Sequence, residues 1–298
     1  MKNGRCGWLL ICAAVVVTTQ VGWADPVPWP VNGNWYEVVV VPGGISWMAA
    51  QESAVANGGH LAVLTSEAEN QFVFELTVGV EGAWIDDVEW VDGPWLGGYQ
   101  YTKEYEPDGG WTWVTGEPWG YTSWLPGQPD DDPWNGYGED YLLFWGYRDP
   151  GPTATWNDAR GPVPPEFPQY PVQLAPGFVV EYESVEATID IDPDTLNLKS
   201  AGKWITCHIE LPNGAAASDI DVSTVRLNDQ LFAAPQPMQV GDHDGNGVSD
   251  LMVKFDRSAL ALAAGDAVQM TVTGRLTGAG FFAGADTIRV ISPGGKGK

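Results

Sequence analysis

The chain has 298 residues, is 44% hydrophobic and 12% aromatic, and sets 39 acidic side chains against 14 basic ones for a formal charge of −25. Such a charge repels phosphate backbones and anionic lipid, which excludes nucleic acid as a partner. The length allows two domains, each with a core.

The first residues read as an export signal. Lys2 and Arg5 precede an apolar run from Trp8 to Val17, and Gly22-Trp23-Ala24 resembles a small-residue cleavage site before Asp25. The run is too short to span a bilayer, and no later stretch is long enough. The expected mature protein is therefore exported, either secreted or held at the cell surface or in a periplasm, with no membrane insertion. Losing Lys2 and Arg5 takes the charge to −27, and losing Cys6 and Cys12 leaves Cys207 alone, so no intramolecular disulfide can form.

From Asn34 the text NWYEVVVV predicts a strand, turned by Pro42-Gly43-Gly44. Ser46 offers an N-cap to a helix with Trp47, Ala50, Ala54 and Val55 at helical spacing, stopped by Gly58-Gly59. A strand HLAVL follows. Ser66 then caps a second helix with Glu67 and Glu69 in its first turn, where the helix dipole favours them. Phe72, Val73 and Leu76 are expected to face the core. Trp95-Leu96-Gly97-Gly98 reads as a short buried strand, and GGWTWVTG as aromatic strand text. After a proline-rich segment from Gly161 to Pro176, GFVVEYE is expected to pair with the first strand and bring the domain ends together. Thirteen tryptophans lie between Asp25 and residue 160, most of them expected as core.

Between Trp124 and Asp158 runs a stretch dense in side-chain oxygens, with no cysteine and no histidine. That chemistry suits a hard cation with oxygen ligands, calcium above all.

At Ser184 the composition changes. Six runs, ATIDID, KWITCHIEL, DVSTVRL, LMVKF, AVQMTVTGRL and DTIRVI, predict a small antiparallel sandwich or barrel. Cys207 alternates with Ile205, Ile209 and Leu211 and reads as buried packing. Asp242, Asp244, Asn246 and Asp250 form a D-x-D-x-N-G-x-x-D loop, matching the first nine positions of an EF-hand calcium loop. Val253 stands where an EF-hand needs glutamate, so the loop is read as a calcium-binding turn on a β domain. The organisation expected is a signal at 1–24, a first domain at 25–183, an all-β domain at 184–291 and a disordered tail at 292–298.

The order of strand, two capped helices, WLGG strand, long loop and WND strand resembles the C-type lectin-like domain. GGHLAVLTSEAENQF, WLGG, W-x-W-x-TGEP, Gln128-Pro129-Asp130, Gly138-Glu139-Asp140, Trp156-Asn157-Asp158 and the closing FVVE carry the resemblance, over roughly half the chain. It implies an α+β fold of two helices, antiparallel sheets and a long loop. It also implies one calcium ion (Ca2+), held by Gln128 and Asp130 around a cis Pro129, by Glu139, and by Asn157 and Asp158. The order Gln-Pro-Asp resembles the galactose-preferring branch, in which a tryptophan stacks on the sugar; Trp134 takes that place here, with Tyr137 as second candidate. A further calcium site is implied at Glu104, Asp108, Asp131 and Asp140. The family's disulfide cysteines are absent, with Tyr141 and Val180 at two of their places.

The resemblance implies a calcium-dependent lectin with a glycan or polysaccharide as partner. A structural or protein-binding extracellular module of the same fold remains the alternative, and the oligomeric state stays open. The acids cluster in metal-type spacing, and His60 and His243 have no cysteine or serine partner, so an enzyme is not expected.

Overall fold

The computed structural model describes residues 22–86, 89–132, 138–161, 172–212, 215–277 and 280–292. Residues 1–21, within the expected leader, and 293–298, within the expected tail, lie outside the described residues. So do Trp134 and Tyr137.

Trp35–Ile45 (β1) is an 11-residue strand whose Trp35, Tyr36, Val38 and Val39 are buried. Gly22–Trp23, at the end of the expected leader, pairs antiparallel with its Val40 and Val39. Helix α1 follows at Trp47–Ala56, its Ser46 cap accepting from the Ala49 N–H. Trp47, Ala50 and Ala54 form its buried stripe. Val55 does not face the core: it is rotated about 100° from Ala54 and is 58% exposed. The expected strand HLAVL shrinks to His60–Leu61, while Ala62, Val63 and Leu64 stay buried beside it.

Helix α2 spans Glu67–Val78, with the Ser66 hydroxyl capping the Glu69 N–H. Its buried residues are Glu69, Asn70, Val73 and Thr77, so Val73 points inward while Phe72 and Leu76 flank the stripe half-buried. Two polar residues turn the helix this way. Glu69 Oε1 accepts from the Tyr36 hydroxyl at 2.7 Å, and the Asn70 side-chain oxygen, Oδ1, accepts from Trp156 Nε1 at 2.8 Å. Each buried group is hydrogen-bonded, which removes the desolvation cost that would otherwise expel it.

Trp90–Gln100 (β2) carries the WLGG text, and Trp111–Trp113 (β3) pairs with it. Gly97 is required where it stands, since a Cβ there would lie 2.5 Å from the Leu61 carbonyl oxygen. Tyr141–Tyr147 (β4), Gly151–Ala159 (β5) and Ala175–Tyr182 (β6) complete a ten-stranded sheet. As expected, β6 closes on β1 antiparallel, Val179 opposite Val38. Tyr141 packs on Trp47 with ring centroids 4.7 Å apart, and Val180 is fully buried.

The second half folds on two sheets around one core. Thr188–Asp192 (β7), Trp204–Glu210 (β8), Gln239–Gly241 (β9) and Asp250–Asp256 (β10) form a four-stranded sheet in the order β7-β8-β10-β9. Ile220–Leu227 (β11), Gly265–Leu276 (β12) and Gly280–Ile291 (β13) form the body of the other. The pairing is not wholly antiparallel: Ser184–Glu186 and Thr195–Asn197 both run parallel to β13. Cys207 is fully buried, and burial pushes its thiol up, so it packs as a small apolar side chain. Where the halves meet, Phe281 lies 4.7 Å from the Trp35 ring and 5.0 Å from that of Tyr182, inside the core cluster of the first half.

Candidate metal centre

The long loop is anchored at its base by aromatic packing. Trp119 sits 4.4 Å from Trp113, Trp124 lies 4.9 Å from Trp111, and both flank the fully buried Trp156 of β5. Backbone bonds add to this: Leu125 N–H donates to the Trp156 carbonyl at 2.9 Å, and Trp156 N–H to that of Ser123 at 2.8 Å. The loop is thereby delivered to the end of β5, where Asn157 and Asp158 stand.

There the Gln128–Pro129 bond is cis. Asp158, 1% exposed, reaches into the loop, and its Oδ2 accepts from the backbone N–H of Asp131 at 2.8 Å and of Asp130 at 3.1 Å. Asp131 in turn accepts the Glu139 N–H at 2.8 Å. The result gathers carboxylate oxygens of Asp130, Glu139 and Asp158 within 4.8 Å of one another. Two amide oxygens, Gln128 Oε1 and Asn157 Oδ1, are buried there without a hydrogen-bond partner.

The electrostatics show the strain of crowding like charges. Burial, then Asp158 and Asp130, pushes the Glu139 carboxyl up to about 8, with Arg160 opposing at 3.7 Å from its Oε1. Burial raises Asp158 to about 6, held back by the backbone N–H groups it accepts from. An orphaned buried oxygen costs about 1–3 kcal/mol, and here there are two beside three carboxylates. A cation that takes six to eight oxygens fits that donor set.

The four residues implied for a further site are not gathered in this way. Asp140 faces Lys103, its Oδ2 3.4 Å from the ammonium, and the same ammonium lies 3.5 Å from Glu106. One Asp131 oxygen, Oδ1, accepts the Glu139 N–H, and Glu104 and Asp108 are exposed. A lysine thus stands among the acids. Sequence reasoning missed Lys103, Glu106 and Arg160; the scarcity of basic residues, 14 in all, is the signal that could have singled two of them out.

In the second half, Asp242, Asp244 and Asp250 bring carboxylate oxygens within 4.8 Å of one another. Here the oxygens already serve the loop itself. Asp242 accepts from Gly245 and Gly247, Asp244 from Asn246, and Asp250 from His243, all between 2.7 and 3.0 Å. The Asn246 side-chain oxygen accepts from Val248.

No family model matches the chain. Curated relatives do. Salivary C-type lectin 2 of Aedes albopictus is 32% identical over 116 residues, 35% of this chain and 68% of that protein. Human C-type lectin domain family 10 member A is 31% identical over 122 residues, 39% of this chain and 30% of that protein. The galactose-specific lectin nattectin of Thalassophryne nattereri is 30% identical over 88 residues, 30% of this chain and 48% of that protein. The chain belongs to the C-type lectin-like family. It spans about half the length, or less, of the first curated relatives it matches. The relatives are lectins and type-2 ice-structuring proteins, not enzymes. Among the described residues, no helix is long and apolar enough to cross a membrane.

Proposed function

We propose that residues 25–183 form an exported, calcium-dependent lectin domain with a galactose-type preference, joined to an all-β domain at 184–291. One observation carries this reading: two buried amide oxygens are unpartnered, on Gln128 of the loop and Asn157 of β5, the two segments that together gather Asp130, Glu139 and Asp158. A domain with no ion to hold has no use for that arrangement, because each orphan weakens the fold. Gln128, Asp130, Glu139, Asn157 and Asp158 would hold the calcium. When bound, the ion would supply a positive centre for two neighbouring hydroxyls of a sugar. The carboxylates of Asp130 and Glu139 accept hydrogen bonds from those hydroxyls, and the Gln128 amide donates. Asp158 keeps the loop in place by taking the Asp130 and Asp131 N–H groups. Trp134, outside the described residues, is the proposed stacking partner for the sugar's apolar face, a contact worth on the order of 1 kcal/mol beyond burial. The galactose preference rests on the order Gln128-Pro129-Asp130 and is in keeping with the match to nattectin. In the second domain, Asp242, Asp244, Asn246 and Asp250 would hold a calcium ion of their own.

Retention on immobilised galactose in calcium, with elution by EDTA, tests the reading. Failure to bind galactose, mannose and glucose columns alike would end it. The match to type-2 ice-structuring proteins favours one other reading, a structural or protein-binding module of the same fold. A calcium-dependent rise in melting temperature without retention on any sugar column would select that module.

A further inference from the structure

The outer face of the four-stranded sheet carries a second kind of ligand chemistry. Its strands alternate strictly: Ile189, Ile191, Ile205, Cys207 and Ile209 point into the core, which leaves Asp190, Asp192 and His208 on the opposite face. Register places Asp190 directly opposite His208 and Asp192 diagonal to it. The Asp242–Asp250 loop folds back over this face and lays His243 on His208, the two rings 3.5 Å apart and within 12° of parallel. One donor atom from each of Asp192, His208 and His243 lies within 4.8 Å of the others, a group separate from the three aspartates of the loop. A cavity of about 290 Å³ opens beside them, lined by both histidines, Asp242 and Met252.

We propose that Asp192, His208 and His243 form a binding site for one divalent transition-metal ion of the zinc class. Two imidazole nitrogens decide the class, since calcium and magnesium take oxygen ligands whereas imidazole suits zinc, copper and nickel. Two histidines and one carboxylate also leave a fourth position open. Asp190 stands 3.6 Å from His243 Nε2, the place of a carboxylate that orients a ligating ring and leaves its other nitrogen for the ion. Parallel rings do not aim both lone pairs at one point, so His243 must tilt away from His208 on binding. Its side chain, 43% exposed and on a loop, has the room to do so. This site depends on neither calcium assignment.

The test titrates Zn2+ into the full chain at saturating calcium, by calorimetry. One zinc per chain is expected. His208→Gln and His243→Gln should each abolish saturable binding, Asp190→Asn should weaken it about tenfold, and His60→Gln should leave it unchanged. A second measurement needs no variant: the chain has three histidines, and zinc should protect two of them, but not His60, from diethylpyrocarbonate. Imidazole proton resonances should also shift as the stack opens. Zinc binding that survives loss of both histidines overturns the site. So does binding that calcium displaces and that Asp244→Asn removes while His208→Gln does not, because the ion would then sit among the loop aspartates. Equal modification of all three histidines with and without zinc overturns it as well.

Discussion

The two acidic loops differ in what their oxygens do when left to themselves. Where the loop after β3 meets β5, Gln128 Oε1 and Asn157 Oδ1 are buried with no partner, and the Glu139 carboxyl is forced upward by its surroundings. In the Asp242–Asp250 loop the aspartates accept N–H groups of the loop's own backbone, and most of that loop is exposed. The first is an arrangement that needs something from outside. The second satisfies itself, as short polar side chains do in tight turns. Similar composition therefore produces one loop whose order is expected to hang on an ion and one whose order is not.

The largest effect that would break this contrast is expected at Asp158. Asp158→Ala deserts two N–H groups and the ion together, so sugar retention and the calcium-dependent rise in melting temperature should both vanish, with a loss on the order of 2 kcal/mol in calcium. An unchanged calcium response would mean that the ligands are wrongly assigned.

Next in size is the response to pH without calcium. Glu139 and Asp158 are held above the ordinary carboxyl range, so the folded domain keeps protons that the unfolded chain releases. In chelator, stability should be greatest below about 4, where both states are protonated, and should fall as pH rises through about 6 and about 8. Calcium should abolish that fall, its affinity growing over the same window as Glu139 ionises. Thermal melts at several pH values, with and without chelator, would read both trends; a flat profile in chelator contradicts the crowding.

A smaller difference should appear in hydrogen exchange. Calcium removal is expected to speed exchange at the Asp130, Asp131 and Glu139 amides far more than at those of Gly245 and Gly247. Equal acceleration would erase the distinction between the loops. The smallest effect is predicted for Asp242→Ala in chelator, where water can replace the lost acceptor, at no more than about 1 kcal/mol by urea melts.

Much of the first half could be read from local chemistry. Ser46 and Ser66 announce their helices because a cap is a short-range interaction, and the β1–β6 closure follows from two β-branched runs at the domain ends. The cis Gln128–Pro129 bond and the convergence of Asp130, Glu139 and Asp158 likewise follow from motifs in a known order. What escaped was set by tertiary partners. Nothing in the spacing of Phe72 and Leu76 reveals that Tyr36 and Trp156 would draw Glu69 and Asn70 inward. Nothing in an acidic stretch reveals that Lys103 would stand between Asp140 and Glu106. The three-residue strands parallel to β13 are too short to leave a pattern.

The Phe281 ring, seated between Trp35 and Tyr182, bears on where the chain can be cut. Ser184 marks a sharp change of composition, yet its N–H donates to Asn34 and its strand is stitched to β13. A fragment ending at Glu183 would present two bare aromatic faces to water and should clump on concentration. Adding back the hairpin of β12 and β13 would mean adding back nearly everything between. For anyone preparing the first half by itself, the remedy is to dress that wound, for instance with Trp35→Gln, rather than to move the cut.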